Sequence, residues 1–122
     1  MTKKKLLFDT YAILEIINGK ESYKEYLDSE FTINEFIFAE LCYKLAREKV
    51  PNYKKYLAMY APYVVYPTPE AVEEAMLFRT DNIKKNLSMT DCISYIMSKR
   101  LKLKFLTGDK EFENMPNVEF VK

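Results

Sequence analysis

Histidine is absent from this sequence. That excludes an imidazole base and any histidine-bearing metal centre, and leaves carboxylates, hydroxyls, lysines and thiols to carry any chemistry. Cysteine is scarce, and both thiols, Cys42 and Cys92, fall in segments with a helical pattern. They are too few for a disulfide scaffold and read as reduced core residues. No apolar run approaches the length that spans a bilayer, and no cationic stretch leads into an apolar segment with a small-residue cleavage site. The expectation is a soluble, cytoplasmic protein with no membrane partner. Repeats, low-complexity tracts and linkers are also missing. With 122 residues, 48% of them hydrophobic and 30% charged, the chain suits a single folded domain over residues 1–122 rather than a disordered segment.

What is present alternates between two periods. An apolar run, Leu6–Phe8, leads into a helical pattern from Tyr11 to about Asn18 with Gly19 at its stop, then a polar helix over 21–29. Phe31–Ile33 reads as a strand. Asn34 suits the N-cap of a long helix that ends before Val50 and Pro51. Further helices are expected over 52–60, over "TPEAVEEAMLFR" with Thr68 as cap and Pro69 in the first turn, and over "LSMTDCISYIMSKR" with Ser88 as cap. Strands are expected over 63–66, 102–106 and 118–121, with "TGDKEF" as a turn and short helix. Strands separated by helices predict an α/β protein, a three-layer α/β/α sandwich with a mainly parallel central sheet.

In such sheets functional groups gather beyond the carboxyl ends of the strands. Asp9 follows "KKLLF" and Asp109 follows "KFLTG", so two strands each end in an aspartate. Either one alone is equally a turn or N-cap residue. Glu40 sits among Phe36, Ile37 and Tyr43 at helical spacing, where a carboxylate needs a counter-charge, and Lys44 one turn on could form a plain ion pair with it. Asp91 completes an S-x-x-D capping box, a structural role in itself, yet the helix it opens should start at the same sheet edge.

Carboxylates about 4 Å apart repel by about 4 kcal/mol per pair at an effective dielectric near 20. A cation must therefore sit among them. Oxygen donors without imidazole or thiolate favour Mg²⁺ or Mn²⁺. Asp9 then reads as a metal ligand on a rigid strand. The chain has 19 basic and 18 acidic residues, so setting aside these four acids leaves 14 and a remaining charge of +5. A basic body around an acidic pit suits a polyanion as substrate. Candidate contacts are Lys3, Lys4, Lys5, Lys44, Arg47, Lys84, Lys85, Lys99 and Arg100, although any one of them taken alone reads first as a solvated surface charge.

Asp9-Thr10 after an apolar strand, Glu40 in "FAEL", Asp91 in "SMTDCISYIM" and "FLTGDKEFENMPNVEFV" together resemble PIN-domain ribonucleases, especially VapC-type toxins of prokaryotic toxin–antitoxin pairs. The resemblance runs over essentially the whole chain. It implies a divalent-metal endoribonuclease with Asp9, Glu40, Asp91 and Asp109 as catalytic, metal-binding acids and Thr10 and Thr107 as neighbouring hydroxyls. It further implies a homodimer and a small cognate antitoxin. Two features depart from the pattern: Tyr11 stands where many members have Asn, and only Glu111 or Glu113 is available where some carry a further acid.

Two other readings fit part of the pattern. A haloacid-dehalogenase-like phosphatase needs a second aspartate where Tyr11 stands and a fuller acid turn than Gly108-Asp109 with Glu113; phosphomonoester turnover would reveal it. A catalytically inactive PIN-like scaffold or RNA-binding module would bind RNA without cutting it in Mn²⁺. Tyr53, Tyr56 and Tyr60 recur at helical spacing, with Tyr63 and Tyr66 following, and read as core or a subunit interface. Met76, Met89, Met97 and Met115 read as packing residues.

Overall fold

A computed structural model describes residues 4–122, so the expected contact at Lys3 lies outside the described residues. Successive strand residues face opposite sides of a sheet, and Leu6, Leu7 and Phe8 are each at most 1% exposed. Both faces of the first strand are therefore covered, as a parallel sheet requires. That strand, β1 (Lys5–Phe8), lies at the centre of five parallel strands with β2 (Glu30–Asn34), β3 (Val64–Val65), β4 (Lys104–Thr107) and β5 (Val118–Phe120), in the order β3-β2-β1-β4-β5.

The chain leaves the centre in one direction through β2 and β3, then returns to build β4 and β5 on the other side. Crossovers running in opposite directions cover opposite faces, which gives the expected α/β/α sandwich, with a switch point between β1 and β4. The helices are α1 (Thr10–Ile17), α2 (Glu35–Arg47), α3 (Tyr53–Tyr60), α4 (Pro69–Asp81) and α5 (Met89–Arg100). Among the described residues, none is long and apolar enough to cross a membrane.

Local chemistry sets most boundaries. Buried Asn34 caps α2, its side chain accepting from the Ile37 amide at 2.8 Å, and its amide group donates to Ser94 Oγ at 2.9 Å, joining β2 to α5. Thr68 and the Ser88–Asp91 box cap α4 and α5 as expected. The segment expected as a polar helix over 21–29 is instead a 3-10 turn, Glu21–Tyr26. At three residues per turn Tyr23 and Tyr26 eclipse, so both rings point inward and their hydroxyls reach Val121 O and Glu119.

The strand expected over 63–66 is cut to two residues at the sheet edge, confined by the 3-10 turn before it and Pro67 after it. The strand expected over 102–106 begins later because Lys102 has a left-handed backbone, φ 59°. Asn117, φ 65°, holds that bend: its amide group donates to Leu103 O and Ser98 Oγ.

Two packing expectations change and one divides. Cys92 is buried but Cys42 is only half-buried; both are free thiols. Met97 is buried and Met76 and Met115 pack against the core, whereas Met89 is 52% exposed in the first turn of α5. The tyrosine series divides: Tyr60 is buried, Tyr56 packs on the core, Tyr63 covers Phe31, and Tyr53 and Tyr66 are exposed.

Candidate active site

Asp9 closes β1, and its amide donates to Leu106 O at 3.0 Å, locking the carboxyl end of β1 to β4 at the switch point. Its side chain caps α1: Oδ1 accepts from the Thr10 amide at 2.8 Å and Oδ2 from Thr107 Oγ1 at 2.6 Å. The Thr107 hydroxyl also accepts from the Asp109 amide at 3.1 Å, so one side chain fastens both strand-end acids. Asp109 in turn caps the 3-10 turn Lys110–Phe112 through Oδ1. Asp91 accepts from the Ser88 amide through Oδ2 at 2.9 Å. Glu40, half-buried on α2, accepts from Thr10 Oγ1 at a long 3.4 Å.

The capping roles read from the sequence are thus real for three of the acids. They do not use every oxygen: Asp91 Oδ1 and Asp109 Oδ2 have no protein donor among the described residues. The alternative reading of Glu40, an ion pair with Lys44, does not form within 4.0 Å among those residues; Thr10 contacts Glu40 instead.

Asp9, Glu40, Asp91 and Asp109 all line one cavity of 630 Å³, together with Thr10, Tyr11 and Lys44. The arrangement is looser than a preformed cage. Among the described residues no three Asp, Glu or Cys side chains are close enough to hold an ion as they stand. Mg²⁺ does not demand such a cage, because it keeps several waters and is held by one or two carboxylates. An all-carboxylate donor set in an open cavity fits such an ion.

The electrostatics agree with that fit. Burial raises the Asp9 carboxyl to about 7, aided by repulsion from Asp91 and Glu40 and opposed by the hydrogen bonds from Thr107 and Thr10. Glu40 is raised by burial and by Asp91, with Lys44 and Thr10 pulling it back. Asp91 is raised by burial, held down by its bonds to Ser88, and raised further by Asp109. Carboxylates that resist ionisation through burial and mutual repulsion favour a cation entering among them.

Other expected residues fall elsewhere. Neither Glu111 nor Glu113 lines the cavity, but Glu15 does, and it pairs with Lys20 at 2.9 Å. Glu15 follows Tyr11 by four residues and precedes Asn18 by three, so the helical spacing of these lining residues was a readable signal. Arg79 and Asn86 also line the cavity without any sequence pattern that marks them. Of the candidate cations among the described residues, only Lys44 lines it. Lys4 and Lys5 stand at the amino end of β1, with Lys4 paired to Glu119 at 2.6 Å. Lys99 and Arg100 lie at the far end of α5, over the Tyr95 ring and paired to Glu74 respectively. Arg47 pairs with Glu48, Lys84 is exposed, and Lys85 donates to Glu111 O.

Tyr11 occupies the position that departs from the family pattern, with its ring against Gly108. A Cβ there would overlap that ring and the Val121 carbonyl oxygen, so the β4–Asp109 turn requires glycine.

Comparison with known proteins adds the following. The family model described as "PIN domain" matches residues 6–118. No curated protein matches the chain. Among solved structures, Mycobacterium tuberculosis VapC20, titled a sarcin–ricin loop cleaving toxin, aligns with a TM-score of 0.78 at 14% identity, covering 96% of this chain and 99% of that one. Rickettsia felis VapBC2, solved with a promoter DNA fragment, aligns at 0.75 and 18% identity over 97% and 99% of the two chains. A Klebsiella pneumoniae toxin–antitoxin complex aligns at 0.73 and 18% identity over 93% and 95%. At such identities these likenesses establish the fold.

Proposed function

Since this chain belongs to the PIN domain family, we propose that it is a divalent-metal-dependent endoribonuclease that hydrolyses RNA phosphodiester bonds and acts as the VapC-type toxin of a toxin–antitoxin pair. The observation that carries the reading is convergence: acids from the end of β1, from α2, from the first turn of α5 and from the turn after β4 line one cavity at the sheet's switch point. Nothing in local capping requires those four positions to meet. The similarity in fold to toxin–antitoxin proteins, one titled a sarcin–ricin loop cleaving toxin, adds support.

Asp9, Glu40, Asp91 and Asp109 would hold Mg²⁺ or Mn²⁺, which when bound supplies Lewis-acid polarisation of the phosphate and a nucleophile from water at neutral pH. The protein's own residues position and tune. Thr107 fixes the Asp9 rotamer and presents Asp109 from the same hydroxyl. Thr10 contacts Glu40 from the start of α1. The Ser88 box engages only one oxygen of Asp91, which lines the cavity. Lys44, unpaired among the described residues, offers a positive charge to phosphate on the α2 side.

In the cell the reading places the protein in the cytoplasm, as a homodimer restrained by a small antitoxin. Exposed Tyr53, Met59, Tyr63 and Tyr66 provide apolar surface for such contacts. The test is RNA cleavage by the purified protein in Mn²⁺ and by Asp91→Asn. Cleavage should drop by at least about a hundredfold in the variant, and wild-type rates from a clean Asp91→Asn preparation would refute the assignment. Growth arrest on expression, relieved by the neighbouring gene product, tests the toxin role.

A further inference from the structure

Beside the acidic cavity lies a second one of 520 Å³, and the two share Arg79, Asn86 and Leu87 as a common wall. Their chemistry is opposite. The second is lined by Arg79 and Lys85 with no acid among its described lining residues, and its apolar surface comes from Met76, Ile83 and Leu87. Arg79 stands on the divide in the last turn of α4, with Nε donating to Leu87 O at 3.3 Å. No carboxylate pairs with it within 4.0 Å among the described residues, although Asp91 and Asp109 line the same cavity. The anchored Nε leaves the two terminal nitrogens of the guanidinium fork for an anion.

We propose that the second cavity is a nucleotide subsite, in which Arg79 grips the backbone phosphate next to the scissile one and the following base packs on Ile83 and Leu87. The inference rests on the nuclease reading and extends it. A polyanion leaving a pit of carboxylates is stabilised where cations replace acids, and here that happens across a single shared wall. Ile83, 79% exposed, is an apolar side chain on a loop with nothing packed over it. Asn86 sets an amide beside it, with the donors and acceptor that read the edge of an unstacked base, whereas Asn82 Nδ2 already donates to Phe78 O at 2.9 Å and offers chiefly its carbonyl oxygen. The size is that of a small-ligand cleft, roughly 300–1,000 Å³, suited to a splayed single-stranded nucleotide. A cationic protein tail attracted by the carboxylates would meet repulsion from Arg79 and Lys85, so the charge favours RNA as occupant.

The test uses fluorescein-labelled single-stranded RNA and anisotropy in Mn²⁺, with all variants in an Asp91→Asn background that leaves the RNA uncut. Arg79→Gln should weaken binding about tenfold and make the plot of log affinity against log salt shallower by about 0.7, the value for one single-strand phosphate contact. Ile83→Glu, at an exposed position where folding is not at risk, should weaken binding by a similar factor. Leu77→Glu adds the same charge on the exposed face of α4, 60% exposed and outside both cavities, and should change binding less than about twofold. In the parent background Arg79→Gln and Ile83→Glu should raise KM for RNA more than they lower kcat. If RNA is bound and cut but the Arg79 and Ile83 variants match the parent, or Leu77→Glu weakens binding equally, the subsite is overturned alone and the cavity is left to a protein segment. If the protein neither binds RNA nor cuts it in Mn²⁺, the nuclease reading falls and the subsite with it.

Discussion

Replacing Asp9 by Asn should stabilise the metal-free protein at high pH and do little at low pH. Asp9 is 6% exposed, and its carboxyl is raised from 3.8 to about 7, first by burial and then by Asp91 and Glu40. A rise of roughly three units corresponds to about 4 kcal/mol, at about 1.4 kcal/mol per unit. Below about pH 4 the folded and unfolded chains both carry the proton and no cost arises. Between about pH 4 and 7 the folded chain keeps the proton while the unfolded chain has lost it, so stability falls as pH rises. Above about pH 7 both are ionised and the full cost remains. Asparagine cannot ionise; its Oδ1 can still accept from the Thr10 amide and its amide group can meet Thr107 Oγ1. In urea titrations followed by circular dichroism in EDTA, the variant should exceed the parent by about 4 kcal/mol near pH 8 and about 1 kcal/mol near pH 4.5. Glu40 and Asp91, both raised, keep some of the parent's downward trend in the variant. A stability difference that does not change with pH, or a parent that gains stability between these values, would refute the electrostatic argument.

Mn²⁺ at about ten times its Kd should stabilise the parent by about 1.4 kcal/mol, roughly 5 °C in Tm, with most of that shift lost in Asp9→Asn; differential scanning fluorimetry in EDTA and in Mn²⁺ reads both. Gly108→Ala should cost about 1–3 kcal/mol in urea, because its methyl group would overlap the Tyr11 ring and the Val121 carbonyl; a neutral result would mean the β4–Asp109 turn yields easily. Asn34→Ala should cost about 2 kcal/mol by the same assay, since it removes the α2 cap and the buried bond to Ser94 together.

Signals that act over a few residues were legible without coordinates. Apolar strands ending at Asp9 and near Asp109, the caps at Asn34, Thr68 and Ser88, and alternating periods each arise from contacts within about one helical turn, so their residue types reveal them. They dictated the α/β sandwich and the strand-end positions of two acids. Where local chemistry has two solutions the sequence did not decide: the 21–29 segment took the 3-10 spacing because Tyr23 and Tyr26 had to reach the last strand region.

Long-range closure belonged to the tertiary structure alone. The bond from Thr107 to Asp9 spans 98 residues, and it exists because β1 and β4 are neighbours at the switch point. The same closure brings Glu15, Arg79 and Asn86 to the cavity and sends Lys4, Lys99 and Arg100 away from it. Charge and residue type are properties of the chain, but which charges share a solvent-poor volume depends on strand order, and strand order is set by how the whole apolar surface can be buried at once.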